Sequence, residues 1–186
     1  MTERQREQAR VALVTGAGSG IGAAAARRLA RDGCHVALVG RTRGELEQVA
    51  REIGAANGDR DGTTRVVLAD VGDAAAMRAA CDETAAAWGR LDVVVANAGV
   101  NGVWAPIEEL EPEEFEATLR TNLLGTFLTI KYAVPHLRAA GGGSIVVTSS
   151  VNGTRIFSNT GATAYSASKA GQVAITKMLA VELAKH

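Results

Sequence analysis

The chain lacks the features that mark several large protein classes. It has two cysteines, Cys34 and Cys81, each in an apolar-patterned segment and without CxxC or metal-ligand spacing. This excludes a disulfide scaffold and a thiolate metal site, and predicts reduced, buried thiols in a cytoplasmic protein. The three histidines, His35, His136 and His186, share no ligand spacing, so no metal is expected. Formal net charge is +0 with no basic cluster, which argues against electrostatic binding of nucleic acid. No apolar run approaches the roughly 18 residues of a membrane span, so no membrane partner is expected. The polar residues 1–10 have no apolar stretch like that of a secretory signal, and read as a short flexible arm.

What is present is the material of one domain, spanning residues 1–186, with 47% apolar residues. Short apolar runs alternate with longer helical segments. Strands are expected at 11–15, 34–39, 64–68, 91–97 and 144–148. Helices are expected at 21–32, 44–53, 73–88, 112–139 and from 163 to the end. Pro112 suits a first helical position, Pro135 should bend or fray its helix, and Gly33 suits a helix stop. The run Val93-Val-Val95 is apolar enough to be buried on both faces, as parallel strands are. Right-handed crossovers then give an α/β fold, a doubly wound parallel sheet between two helical layers. The last strand, at 144–148, should form an uncovered edge.

Two clusters carry chemistry. The first is the turn Thr15-Gly-Ala-Gly-Ser-Gly-Ile-Gly22 between a strand and a helix. Glycines there let backbone approach a pyrophosphate, and the helix N-terminus favours the anion. Selectivity for NAD normally needs a carboxylate at the end of the second strand. This chain has Gly40-Arg-Thr-Arg43, with no acid before Glu45. Arg41 would pair with a 2′-phosphate, favouring NADP, with NAD possible if Arg41 only stacks on the adenine or faces solvent.

The second cluster is Tyr165-Ser-Ala-Ser-Lys169, downstream of Ser149-Ser150. Tyr165 and Lys169, four residues apart, share a helix face. Tyrosine is a poor acid near neutral pH, and a neighbouring ammonium favours its phenolate. Ser150 is the expected partner of a substrate oxygen, with Ser149 as the alternative.

The pattern TGxxxGxG, the sequence Asn97-Ala98-Gly99 and the Ser–Tyr–Lys spacing resemble those of the short-chain dehydrogenase/reductase family over residues 11–186. The resemblance implies a Rossmann-like fold and hydride transfer between NADP(H) and a carbonyl or secondary alcohol, a 3-oxoacyl thioester being one plausible substrate. It implies catalytic roles for Asn122, Ser150, Tyr165 and Lys169, with Asn122 holding a proton-relay water against the lysine. Asp70 corresponds to an acidic residue that contacts the adenine amine. The implied cofactor set is Gly16, Gly18, Ser19, Gly20, Ile21, Gly22, Arg41, Asp70, Val71, Asn97, Ala98 and Gly99, joined by Tyr165 and Lys169. Val100, Trp104, Asn152 and Phe157 are candidates for the substrate pocket.

The interval from Ser150 to Tyr165 is slightly longer than usual in the family, a difference an enlarged loop at 152–162 would absorb. Family members pair through helices corresponding to 112–139 and 163–185, implying a homodimer or homotetramer. They also carry further strands, a proline-glycine segment and a substrate lid beyond the point where this sequence stops. The expectation is a C-terminally truncated form of such an enzyme. The alternatives are a short NADP-binding or scaffold protein without activity and, less well matched, a sugar-nucleotide epimerase.

Overall fold

The computed structural model describes residues 9–56, 62–155 and 160–185. Most of the expected arm, most of the loop at 57–62, Phe157 and His186 lie outside them. The elements are β1 (Val11–Thr15), α1 (Gly20–Arg31), β2 (His35–Gly40), α2 (Arg43–Ala56), β3 (Thr64–Leu68), α3 (Ala74–Trp88) and β4 (Val93–Ala96). They continue with α4 (Pro112–Leu119), a π-helical turn (Arg120–Leu124), α5 (Gly125–Ala139), β5 (Ser144–Val147), a 3₁₀ turn (Val151–Gly153) and α6 (Thr163–Glu182).

The five strands form one sheet in the order β3-β2-β1-β4-β5. Every pair is parallel, with Leu13 beside Ala37 on one flank and Val94 on the other. Successive strand residues point to opposite faces, and β1 shows the result. Val11 and Leu13 join Val39, Met77, Leu91, Val94, Leu128 and Leu137 in a cluster under α3 and α5. Ala12 and Val14 join Val36, Leu38, Leu46, Val49 and Ile53 in a cluster under α1 and α2. The small residues Ala23, Ala26 and Ala30 are the buried face of α1, which brings that helix close to the sheet. Both cysteines are buried and free. Burial pushes the Cys81 thiol up to about 12, and Cys34 upward as well.

Local signals set the helix ends. The Asp73 side chain accepts from Ala76 N–H at 2.9 Å, capping α3. Gly33 follows α1 with φ +86°. Pro112 opens α4, where the Glu114 carboxylate accepts from Glu111 N–H at 3.3 Å. The expected single helix over 112–139 is corrected: α4 and α5 are separated by the π turn, while α5 runs through Pro135 to Ala139. The break falls at Asn122 because its side chain is held by Val100 and Ser168 on other elements.

Among the described residues β5 pairs with β4 alone and is the last strand of the sheet on that side. β1 has β2 on one side and β4 on the other, so the chain leaves β1 and β4 toward opposite faces. A crevice opens where the two strands part, at their C-terminal ends.

Candidate active site

The crevice is built on Thr15. Its hydroxyl accepts from Asn97 N–H at 3.0 Å and Ala98 N–H at 3.1 Å, and donates to Val95 C=O at 3.4 Å. Asn97 Nδ2 donates to Thr15 C=O at 3.1 Å and Gly16 C=O at 3.4 Å. Thr148, after β5, donates to Asn97 Oδ1 at 3.1 Å. The ends of β1, β4 and β5 are thereby fastened into one rim.

The glycine turn lies on this rim. Gly16 has φ +64°, the left-handed region that favours glycine. Gly22 is in the first turn of α1 and lies against the turn itself: a Cβ there would be 2.1 Å from Gly16 O and 2.6 Å from Asn97 Nδ2. Gly16, Gly18, Ser19, Arg41, Asp70, Val71, Ala98 and Gly99 line one cleft. Gly20 has open space around it, and Ile21 is exposed. Gly22 and Asn97 form its support. The cleft also takes in Thr42, Glu45 and Thr121, which sequence reasoning did not assign to it. At its far end the Arg41 guanidinium lies 4.0 Å from the Asp70 carboxylate. The other Asp70 oxygen accepts from Gly72 N–H at 2.8 Å.

Lys169 closes the near end. Its ammonium donates to Thr148 C=O at 2.8 Å and lies 5.7 Å from the centre of the Tyr165 ring. Lys169 is buried, and loss of hydration lowers its pKa from the ordinary lysine value. A Cβ at Gly99 would lie 3.6 Å from Lys169 Nζ and 3.1 Å from Asn122 Oδ1. Gly99 therefore joins the glycine-lined cleft to the amine.

The serine pair divides. Ser149 Oγ donates to Lys169 C=O at 3.0 Å. Ser150 Oγ accepts from Asn152 N–H at 3.3 Å, which leaves its own proton for another acceptor. Asn122 Oδ1 accepts from Val100 N–H at 2.8 Å, while Nδ2 donates to Val100 C=O and Ser168 Oγ, both at 2.9 Å. Asn122 thus ties the segment after β4 to the helix of Tyr165 and Lys169. Of the pocket candidates, Val100 and Trp104 are exposed and Asn152 is buried.

Thr15, Thr148, Ser168 and Gln172 escaped sequence reasoning. Their hydroxyls and amide act across elements, and only the position of Thr15 at the head of the glycine turn gave any signal. No group of three or more potential metal ligands occurs among the described residues. Nor, among them, is any helix long and apolar enough to cross a membrane.

The family described as short chain dehydrogenase matches this chain over residues 10–186. D-threitol dehydrogenase from Mycolicibacterium smegmatis is 43% identical over 177 residues, covering 95% of this chain and 65% of that protein. A 3-ketoacyl-ACP reductase from Sinorhizobium meliloti 1021 superimposes with a TM-score of 0.89 at 56% identity, over 95% of this chain and 68% of that one. An actinorhodin polyketide ketoreductase, solved with NADPH, has a TM-score of 0.88 at 34% identity, over 97% and 67%. The chain thus spans about two thirds of the length of these proteins.

Proposed function

From the premise that the chain belongs to the short-chain dehydrogenase family, we propose that it transfers hydride between NADP(H) and a carbonyl or secondary-alcohol substrate, a 3-oxoacyl thioester among the candidates. The observation that carries this reading is the meeting of glycine cleft and amine at Gly99, beside the Tyr165 ring.

The cleft fits a dinucleotide. Gly16 and Gly18 expose bare backbone in it, and Ser19 at the N-terminus of the 12-residue α1 spends no side-chain bond on capping the helix. Those groups would hold the pyrophosphate. Asp70 and Val71 would border the adenine, and Arg41 would pair with a 2′-phosphate. NAD would use the same cleft without that pair. When bound, the reduced nicotinamide supplies the hydride, whose two electrons form the new C–H bond at the carbonyl carbon.

As that bond forms, Tyr165 gives its phenolic proton to the carbonyl oxygen. The Lys169 ammonium stabilises the phenolate left behind and supplies a replacement proton. Ser150 donates a hydrogen bond to the same oxygen as charge develops on it. Among the described residues the Ser150 hydroxyl proton has no acceptor while that of Ser149 is committed, which favours Ser150. Asn122 serves the relay that reprotonates Lys169 through Oδ1, which accepts one bond from Val100 N–H and keeps a second lone pair for a relay water. Alcohol oxidation runs each step backward.

The outer faces of the π turn, α5 and α6, with Leu124, Phe127, Met178 and Val181 exposed, are the proposed contact of a cytoplasmic homodimer or homotetramer. The test of the chemistry is NADPH consumption with a panel of ketones and 3-oxoacyl thioesters. Tyr165→Phe should lower the rate by about 10²- to 10⁴-fold. A variant as fast as the wild type would remove Tyr165 from its role.

A further inference from the structure

Gln172 is fully buried on α6. It stands three residues beyond Lys169 and seven beyond Tyr165, so the three share one face of the helix. Its Nε2 donates to Asn122 C=O at 2.8 Å and to Thr126 Oγ1 at 2.7 Å. Thr126 Oγ1 in turn donates to Asn122 C=O at 2.7 Å. These bonds fix the amide's orientation: turned over, Gln172 would set oxygen against the Asn122 carbonyl oxygen. Gln172 Oε1 is left buried with no hydrogen-bond partner among the described residues.

An unsatisfied buried acceptor is a cost that an aliphatic side chain of similar volume would not carry. The amide at this position is therefore poor as a stabiliser of the core. What it does is grip a carbonyl of the π turn, where the regular helical ladder is interrupted, with Gly125 N–H bonded to Arg120 C=O. The gripped residue is Asn122, whose side chain holds Val100 on one side and Ser168 on the other. Both lone pairs of the Asn122 carbonyl are engaged, so the turn is held rigidly to the helix bearing Tyr165 and Lys169.

We propose that Gln172 is a positioning residue for hydride and proton transfer: by fixing the Asn122 carbonyl, it locks the π turn in the register that sets the Gly99–Val100 wall against Lys169. This rests on the proposed function, and it is separable from it in experiment. The variants are Gln172→Leu and Gln172→Met, which keep the volume and remove the donor. Each should lower kcat by about 10- to 100-fold, the range expected for a small misplacement of reacting groups. KM for NADPH should change by a smaller factor than kcat, since Gln172 does not itself line the cleft and acts there only through the Gly99–Val100 wall. The solvent deuterium isotope effect on kcat should rise as proton transfer becomes slower. The melting temperature should hold or increase, because the orphaned acceptor has gone.

Unchanged kcat in either variant would overturn the inference. So would a loss of activity that only tracks a fall in melting temperature, which would mark Gln172 as an ordinary packing residue. A wild-type chain that turns over no carbonyl or alcohol would defeat the proposed function instead, and this inference with it.

Discussion

Gly22→Ala tests the architecture of the crevice because two physical arguments give it opposite signs. Gly22 lies in the first turn of α1, where replacing glycine by alanine should stabilise the helix by about 1 kcal/mol. The added methyl, however, would stand 2.1 Å from Gly16 O, 2.8 Å from Gly16 C and 2.6 Å from Asn97 Nδ2. Two of these atoms are backbone, so no rotamer change relieves the overlap and α1 must move off the turn. Overpacking of this kind costs about 1–3 kcal/mol. Displacing Asn97 also breaks its bonds to Thr15 C=O and Gly16 C=O, at about 1 kcal/mol each. The net expectation is a destabilisation of about 2–4 kcal/mol. Urea denaturation followed by far-UV circular dichroism would measure it as a lower midpoint at constant m. Gly20→Ala is the control: its Cβ would meet open space, and only the φ of +53° opposes it, a cost of about 1–2 kcal/mol. A Gly22→Ala protein as stable as the wild type, or more so, would show that the helix does not press on the turn as described.

Further expectations follow from other parts of the molecule. Asp92 accepts from Val11 N–H at 2.8 Å and pairs with Arg90 at 2.5 Å, both side chains being about nine-tenths buried, so Asp92→Ala should cost about 3–5 kcal/mol in the same denaturation assay. Burial lowers the Lys169 pKa below its ordinary 10.5, so the unfolded chain binds the extra proton across the interval between the two values. Stability therefore rises with pH through that interval. Melting curves followed from pH ~7 up to the ordinary lysine value of 10.5 should show the wild type gaining on Lys169→Met, and a constant difference would contradict the assignment. Arg41→Ala should weaken NADPH binding about tenfold or more while sparing NADH, as loss of a charge-assisted bond predicts. Fluorescence titration with both nucleotides decides it, and equal losses would mean that Arg41 does not meet a 2′-phosphate.

Much of the frame was legible because its causes are local. Strands β1 and β3 occupy the residues expected of them, and Asp73 and Pro112 begin their helices as capping chemistry requires. The order of apolar runs and the hand of the crossovers account for one parallel sheet between two helical layers, whereas the strand order that opens the crevice between β1 and β4 came from the structure. The π turn was not legible, since its cause is tertiary. Asn122 bonds Val100 and Ser168, residues 22 and 46 positions away, and no local pattern encodes that pull. Gln172 was hidden for the same reason, as one more polar residue within a helix. Ser150 is the serine expected from the sequence, with Ser149 as the alternative; the bond from Ser149 to the Lys169 carbonyl, which bears on that choice, was not legible.

The Thr15 hydroxyl has a consequence for motion. Residues at the lip of a ligand cleft, past the last rung of a strand, ordinarily trade their amide protons with solvent quickly. Here the amides of Asn97 and Ala98 are both held by one side-chain oxygen on a neighbouring strand. They should exchange as slowly as the middle of the sheet, and a single methyl-for-hydroxyl swap, Thr15→Val, should release the pair together. The mouth of the cleft would then breathe while the layers beneath it stayed shut.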